Sequence, residues 1–416
     1  MSKHGRDRRP YIRPVTKLEL SQTNIKFRWI AIAVLLSIAV VSIGYGFSLA
    51  LQTEPGWQTI TPLNEEVNCS GDFVLMYEFG TDSENPTAEF KKLETAYQAL
   101  TESAYRLFNP EAVGTGNLYA LNSHVNEPVT LAPALYRALE QCVAAGNRHV
   151  FMAPVRALYE PVFLSATDGE AMVYDPMKDP ERGALAAEAA AFSGNPQMVS
   201  LELLGENKAC LRVAQEYLAY GQEYGIEVFL DFGWMKNAFI ADYMADALAE
   251  QGFLKGYLAS NDGFTRNLDV RGTEFTVNVF HRVGNDIRMP ANFFYTGPMS
   301  IVSLRDYPMS ERDKWNYYAY GDGSFTSVFL DPKDGMTRTA IDGIMAYSRT
   351  AGCGEMVLKL APVFISDSFD AEALERLAAE GIQSVRCHEN SLVCTDENAP
   401  FLIVDEQYGL TVSNSQ

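Results

Sequence analysis

The sequence predicts an α+β fold, a single domain of mixed sheets and helices behind an N-terminal transmembrane helix. Three observations carry that expectation. Short strand-like apolar runs and longer runs with helical spacing follow one another without a strict βαβ rhythm, which argues against a doubly wound parallel sheet. The chain has 416 residues, 47% of them hydrophobic, enough for a large core. The stretch WIAIAVLLSIAVVSIGYGFSLAL, Trp29 to Leu51, carries no charge at all.

As a helix rising about 1.5 Å per residue, that stretch would extend about 34 Å, more than a bilayer core of about 30 Å. Lysines and arginines crowd the residues before it: Lys3, Arg6, Arg8, Arg9, Arg13, Lys17, Lys26 and Arg28. The positive-inside rule therefore predicts a cytoplasmic tail at 1–28, a single-pass anchor in the cell membrane at 29–51, and an extracytoplasmic remainder. A cleaved signal peptide is the competing reading, because Ser48 and Ala50 make a small-x-small site. The anchor is preferred, since the apolar run exceeds the usual signal-peptide core of about 7–15 residues. A formal charge of −20 argues against nucleic acid as a partner of the folded part.

Residues 52–69 are polar and proline-bearing and read as a spacer, 70–405 as the folded domain, and 406–416 as a tail. SGDFVLMYEFGT reads as a first strand. Asn85 and Pro86 open a helix in which Phe90, Leu93, Tyr97, Leu100, Ala104 and Leu107 share a face. Further helices are expected over about Ala132–Ala145, Ala209–Tyr224, Ala241–Gln251, within EMVLKLAPVFI, and over Asp370–Gly381; strands are expected at Ile226–Asp231, GYLAS and AIDGIMAYSR. Six cysteines, at 69, 142, 210, 353, 387 and 394, show no metal-ligand spacing. A turn at Asn390-Ser391 would set Cys387 opposite Cys394, where a disulfide and two plain thiols are both open.

Composition points to no particular chemistry. The DFG of Asp231 to Gly233 lacks the companions of a kinase site, and no G-x-S-x-G, Walker A or H-E-x-x-H occurs. Asp231, Asp242, Asp262 and Asp331 fall at strand ends or helix entries, where a carboxylate holds a metal or a hydroxyl, or simply caps a turn.

In order, however, the segments resemble the FAD:protein FMN transferase (ApbE-like) family over roughly residues 70–400. GNLYALN, ending at Asn122, is similar to the family's segment after its first helix. GNRHVFMAP keeps Gly146 and Pro154 of a flavin-contacting stretch, with Arg148 and His149 at the positions of Phe and Asp. DFGWMKNAFIAD keeps Asp231, Gly233 and Asp242 of D-L-G-G-I-A-K-G-Y-A-V-D, with Trp234 for the second glycine and Asn237 for the lysine. Asp262 stands at the aspartate of N-L-G-G-D. FTSVFLDPKDG resembles H-I-I-D-P-x-T-G, keeping Asp331, Pro332 and Gly335 but placing Val328 where the histidine stands.

The resemblance implies an extracytoplasmic enzyme that binds FAD and attaches FMN to a Ser or Thr of a target protein. It places Asp331 and Asp262 in catalysis, and Asn122, Arg148, His149, Asp231, Asn237, Asp242 and Val328 at the cofactor. It also implies magnesium, held by A-D-A-L-A-T-A, to which GEMVLKL aligns with Glu355 for Asp and Lys359 for Thr. A charged lysine cannot ligate a cation, so the expectation is that the Lys359 ammonium fills the metal's place in one cleft with Asp231, Asp331 and Glu355. Two functions follow: a membrane-anchored FMN transferase, or a silent relative, a pseudoenzyme, that binds a flavin or a partner.

Overall fold

The structure is a computed structural model that describes residues 53–413 apart from 63–66, 82–84, 285, 310–312 and 314. The expected cytoplasmic tail and transmembrane segment lie outside the described residues. Among those residues, no helix is long and apolar enough to cross a membrane.

The backbone is a nine-stranded sheet running, from one edge to the other, through Gly56–Ile60, Phe73–Phe79, Gly256–Ser260, Phe264–Asn267, Met299–Arg305, Gly343–Ser348, Gln383–His388, Ser391–Cys394 and Gly409–Val412. Every neighbouring pair is antiparallel except the last. Phe73–Phe79 alternates buried and half-buried positions, the period-2 signature of a sheet with one face in the core. That face packs on the helices Pro86–Phe108, Lys236–Glu250 and Cys353–Phe364, whose Leu93, Tyr97, Met244, Leu248, Met356 and Leu360 build the main core. The opposite face at the other end carries a second core around Phe293, Ile301, Met345, Tyr347 and Val385, closed by the long hairpin Glu274–Val283 and Asp286–Thr296.

Both edges of the sheet come from segments expected to be irregular. Gly56–Ile60 lies in the expected spacer and pairs with Phe73–Phe79, its Trp57 packing edge-on against Phe275 at 5.7 Å. Gly409–Val412 lies in the expected tail and pairs in parallel with Ser391–Cys394. These short runs lack a long apolar pattern because an edge strand is covered on few sides.

Three local expectations are corrected. Ala209–Tyr224 is not one helix: Lys208–Val213 is a strand paired with Val199–Gly205, and the helix covers only Gln215–Tyr224. Ile226–Asp231 forms no strand; the buried Asn122 amide takes the place of a neighbour, its Oδ1 accepting from the Phe229 and Leu230 N–H groups at 2.9 and 3.1 Å and its Nδ2 donating to the Leu230 carbonyl at 2.8 Å. The last hairpin turns at Glu389-Asn390, with Glu389 at φ 50°, so His388 faces Ser391 and Cys387 faces Leu392 rather than Cys394. All six thiols are free.

Candidate functional site

The helix Ala153–Leu164, the short turn Gly233–Met235 leading into the helix Lys236–Glu250, and Asp72, Asn261, Asp262, Asp313, Trp315 and Asn316 from loops line a cleft of about 420 Å³. That volume lies within the range of about 300–1,000 Å³ common to small-molecule sites. Its indole wall is Trp234, wedged between the His149 ring at 6.3 Å and the Phe329 ring at 5.1 Å. Trp315 stands at the mouth, 58% exposed. Gly233 adopts φ +53°, which a side chain would strain, and the reversal it permits presents Trp234 to the cleft.

Of the sequence-predicted residues, Asn237, Asp262 and Val328 line this cleft. Asn237 Nδ2 donates to Asp262 Oδ2 at 2.9 Å. Burial lifts the Asp262 carboxyl to about 6, with Asp72 adding to the rise and the bonds from Ser260 and Asn237 opposing it. Asp262 Oδ1 is enclosed without a protein partner. Asp231 lies just behind, its carboxylate paired with Arg156 of the cleft wall. His149 supports Trp234 from behind, and burial pushes its imidazole down to about 4, so it is neutral at pH 7. Asn122, holding the chain that leads to Asp231, belongs to that same outer layer.

Five predicted residues are elsewhere. Arg148 donates to the carbonyls of Ser193 and Val199, the latter at 3.0 Å, and stacks over Phe151. Asp331 sits in its turn: Oδ1 accepts from the Lys333 N–H at 2.9 Å, the carbonyl accepts from the Gly335 N–H at 2.8 Å, and Arg338 lies 3.5 Å from Oδ2. Asp242 caps the helix Cys353–Phe364, accepting from the N–H groups of Cys353 at 2.9 Å and Gly354 at 2.8 Å while paired with Arg266. A side chain on Gly352 would collide with this carboxylate.

The remaining two form the expected metal pair. Glu355 and Lys359 share the outer face of their helix, and Lys359 Nζ bonds Glu355 and Glu380, each at 2.8 Å. The expectation that this ammonium replaces a metal beside Asp231 and Asp331 is therefore corrected: those carboxylates have Arg156 and Arg338 instead. The inward positions four apart on that helix are Gly354 and Leu358, both buried, and neither side chain offers an oxygen. Among the described residues no three His, Cys, Asp or Glu side chains converge as for a metal ion. The described residues do not fit magnesium.

Sequence reasoning missed Arg156, Glu160 and Phe163, which line the cleft from one helix. Their i, i+4, i+7 spacing was the available signal. It also passed over Lys236, which lies directly before Asn237 and faces the same space.

No model of a known protein family matches the chain, and no curated protein does. Solved structures do. The ApbE protein of Thermotoga maritima aligns with a TM-score of 0.52 at 11% identity, covering 84% of this chain and 97% of its own. The flavin transferase ApbE of Vibrio cholerae aligns with a TM-score of 0.50 at 13% identity, covering 84% and 96%. Identity this low carries architecture and not activity. The fold of this chain is the ApbE-like fold, as its segment order implied.

Proposed function

We propose that the chain is a membrane-anchored, extracytoplasmic protein that binds a flavin ring in the Trp234 cleft and does not transfer FMN. One observation carries the reading. The Trp234 ring lines the cleft, in edge-on contact with His149 and Phe329, and offers aromatic surface to a planar ring, while Val328 stands in its wall where the resemblance places a histidine. Valine can neither accept nor deliver a proton. Asp242 is engaged by Arg266 and two backbone N–H groups as a helix cap and does not line the cleft. Anchoring and orientation rest on the uncharged run 29–51 and the basic residues before it.

The test uses the full chain in detergent. Flavin fluorescence should quench saturably on addition of protein, and Trp234→Ala should weaken binding by roughly three- to tenfold, the worth of one ring contact. Incubation with FAD, magnesium and a Ser/Thr-bearing acceptor peptide should leave the peptide mass unchanged. A gain equal to FMN establishes the transferase reading instead, and the absence of any flavin binding leaves a partner-binding role.

A further inference from the structure

We propose that a second cleft, which shares no residue with the Trp234 cleft, binds a free aromatic α-amino acid through its ring, its carboxylate and its ammonium group. This site is independent of the flavin reading.

The second cleft lies beside the second core, between the ends of the strands Asp286–Thr296 and Gly343–Ser348, and measures about 570 Å³. That volume again falls in the range of about 300–1,000 Å³ common to small-molecule sites. Its floor is aromatic. The Phe293 ring lies 4.4 Å from that of Tyr347 and 5.7 Å from that of Tyr295, and all three residues line the cleft. Such a floor accepts a flat apolar body but does not orient it; polar groups at the edges do that.

Two charged groups at those edges are held in place by neutral protein groups. Arg349 Nη1 donates to the carbonyls of Thr296 at 2.8 Å and Pro298 at 3.4 Å, across the turn at Gly297. Its Nε and Nη2 remain, the side of a guanidinium that takes a carboxylate with two parallel bonds. Asp396 accepts from the Tyr347 hydroxyl at 3.2 Å and from the Asn398 N–H at 2.9 Å. Burial, with Asp396 alongside, pushes the Tyr347 phenol up, so its hydroxyl remains a donor to that carboxylate. Each carboxylate oxygen keeps a further lone pair, and an ammonium group brings three donors. Among the described residues Arg349 meets no carboxylate and Asp396 no cation. Glu274, the remaining charged residue of the lining, stands exposed at the rim.

A ligand of one charge would engage only one of these edges. An aromatic α-amino acid engages both by direct hydrogen bonds, carboxylate to Arg349 and ammonium to Asp396, with its ring on the floor. Calorimetric titration of the full chain in detergent with L-phenylalanine, phenethylamine and hydrocinnamate tests this. L-phenylalanine should bind saturably, and each analogue, which lacks one of the two charged groups, at least about tenfold more weakly. Arg349→Gln should weaken L-phenylalanine at least about tenfold and leave phenethylamine unchanged; Asp396→Asn should weaken L-phenylalanine and leave hydrocinnamate unchanged. Equal affinities for the three compounds, or no L-phenylalanine binding at millimolar concentration, overturn the proposal. A folded variant that weakens all three alike overturns the roles given to Arg349 and Asp396, and the comparison within the unaltered chain decides the matter even where a variant fails to fold. None of these outcomes bears on flavin binding in the first cleft.

Discussion

Asp262 shows what single residues decide in this cleft. Its carboxyl is raised by burial, so the folded chain holds this proton more tightly than the unfolded chain does. The stabilisation is fully present below about pH 4 and fades as pH rises through about 6, where the buried group ionises. Asp262→Asn should therefore raise stability at pH 7, by an amount on the order of 2 kcal/mol, and have little effect near pH 4; denaturant melts at the two pH values read this directly. Asn237, Asp262 and Val328 were legible in the sequence because each lies in a short segment whose order along the chain matches the resemblance. Asp242 was legible as a retained residue but not as a helix cap, since its partners Arg266, Cys353 and Gly354 are remote in sequence. Arg266→Met leaves that buried carboxylate without its counter-ion and should cost about 3–5 kcal/mol in a thermal or denaturant melt.

At the scale of elements, local pattern and tertiary contact compete. The helices Pro86–Phe108 and Ala371–Ala379 were legible because each has a side-chain cap, Asn85 and Asp370, and a clean apolar stripe. Ile226–Asp231 has the composition of a strand, yet the chain offers it no strand to pair with, and the Asn122 amide supplies the missing partners. Asn122→Ala removes four hydrogen bonds inside the core, the fourth from Nδ2 to the Leu118 carbonyl at 3.0 Å, so a loss of about 2–4 kcal/mol in unfolding free energy is expected. Asn122→Asp should recover only the two acceptor bonds. The FTSVFLDPKDG turn is structural by the same reasoning. Gly335 sits at φ +74° with the Ala186 carbonyl where a side chain would go, and Tyr159 donates to the Gly335 carbonyl at 2.9 Å. Gly335→Ala should destabilise by at least about 2 kcal/mol while leaving the cleft residues in place.

The molecule as a whole keeps the architecture of an ApbE-like fold. The order of segments was legible because turns, caps and glycine reversals are fixed by short sequences. The edges of the main sheet were not, because Gly56–Ile60 and Gly409–Val412 gain their regularity only by pairing with the sheet. The cleft itself was legible only in part, since four of its walls come from segments separated by scores of residues and no local motif joins Arg156 and Trp315 to Asp262. What unites the reading is a flavin site that works without a divalent ion. Titration of riboflavin into the full-length chain, first in chelator and then with millimolar magnesium, tests it most directly: the same saturable quenching in both conditions is expected, and binding that appears only once magnesium is added would contradict it.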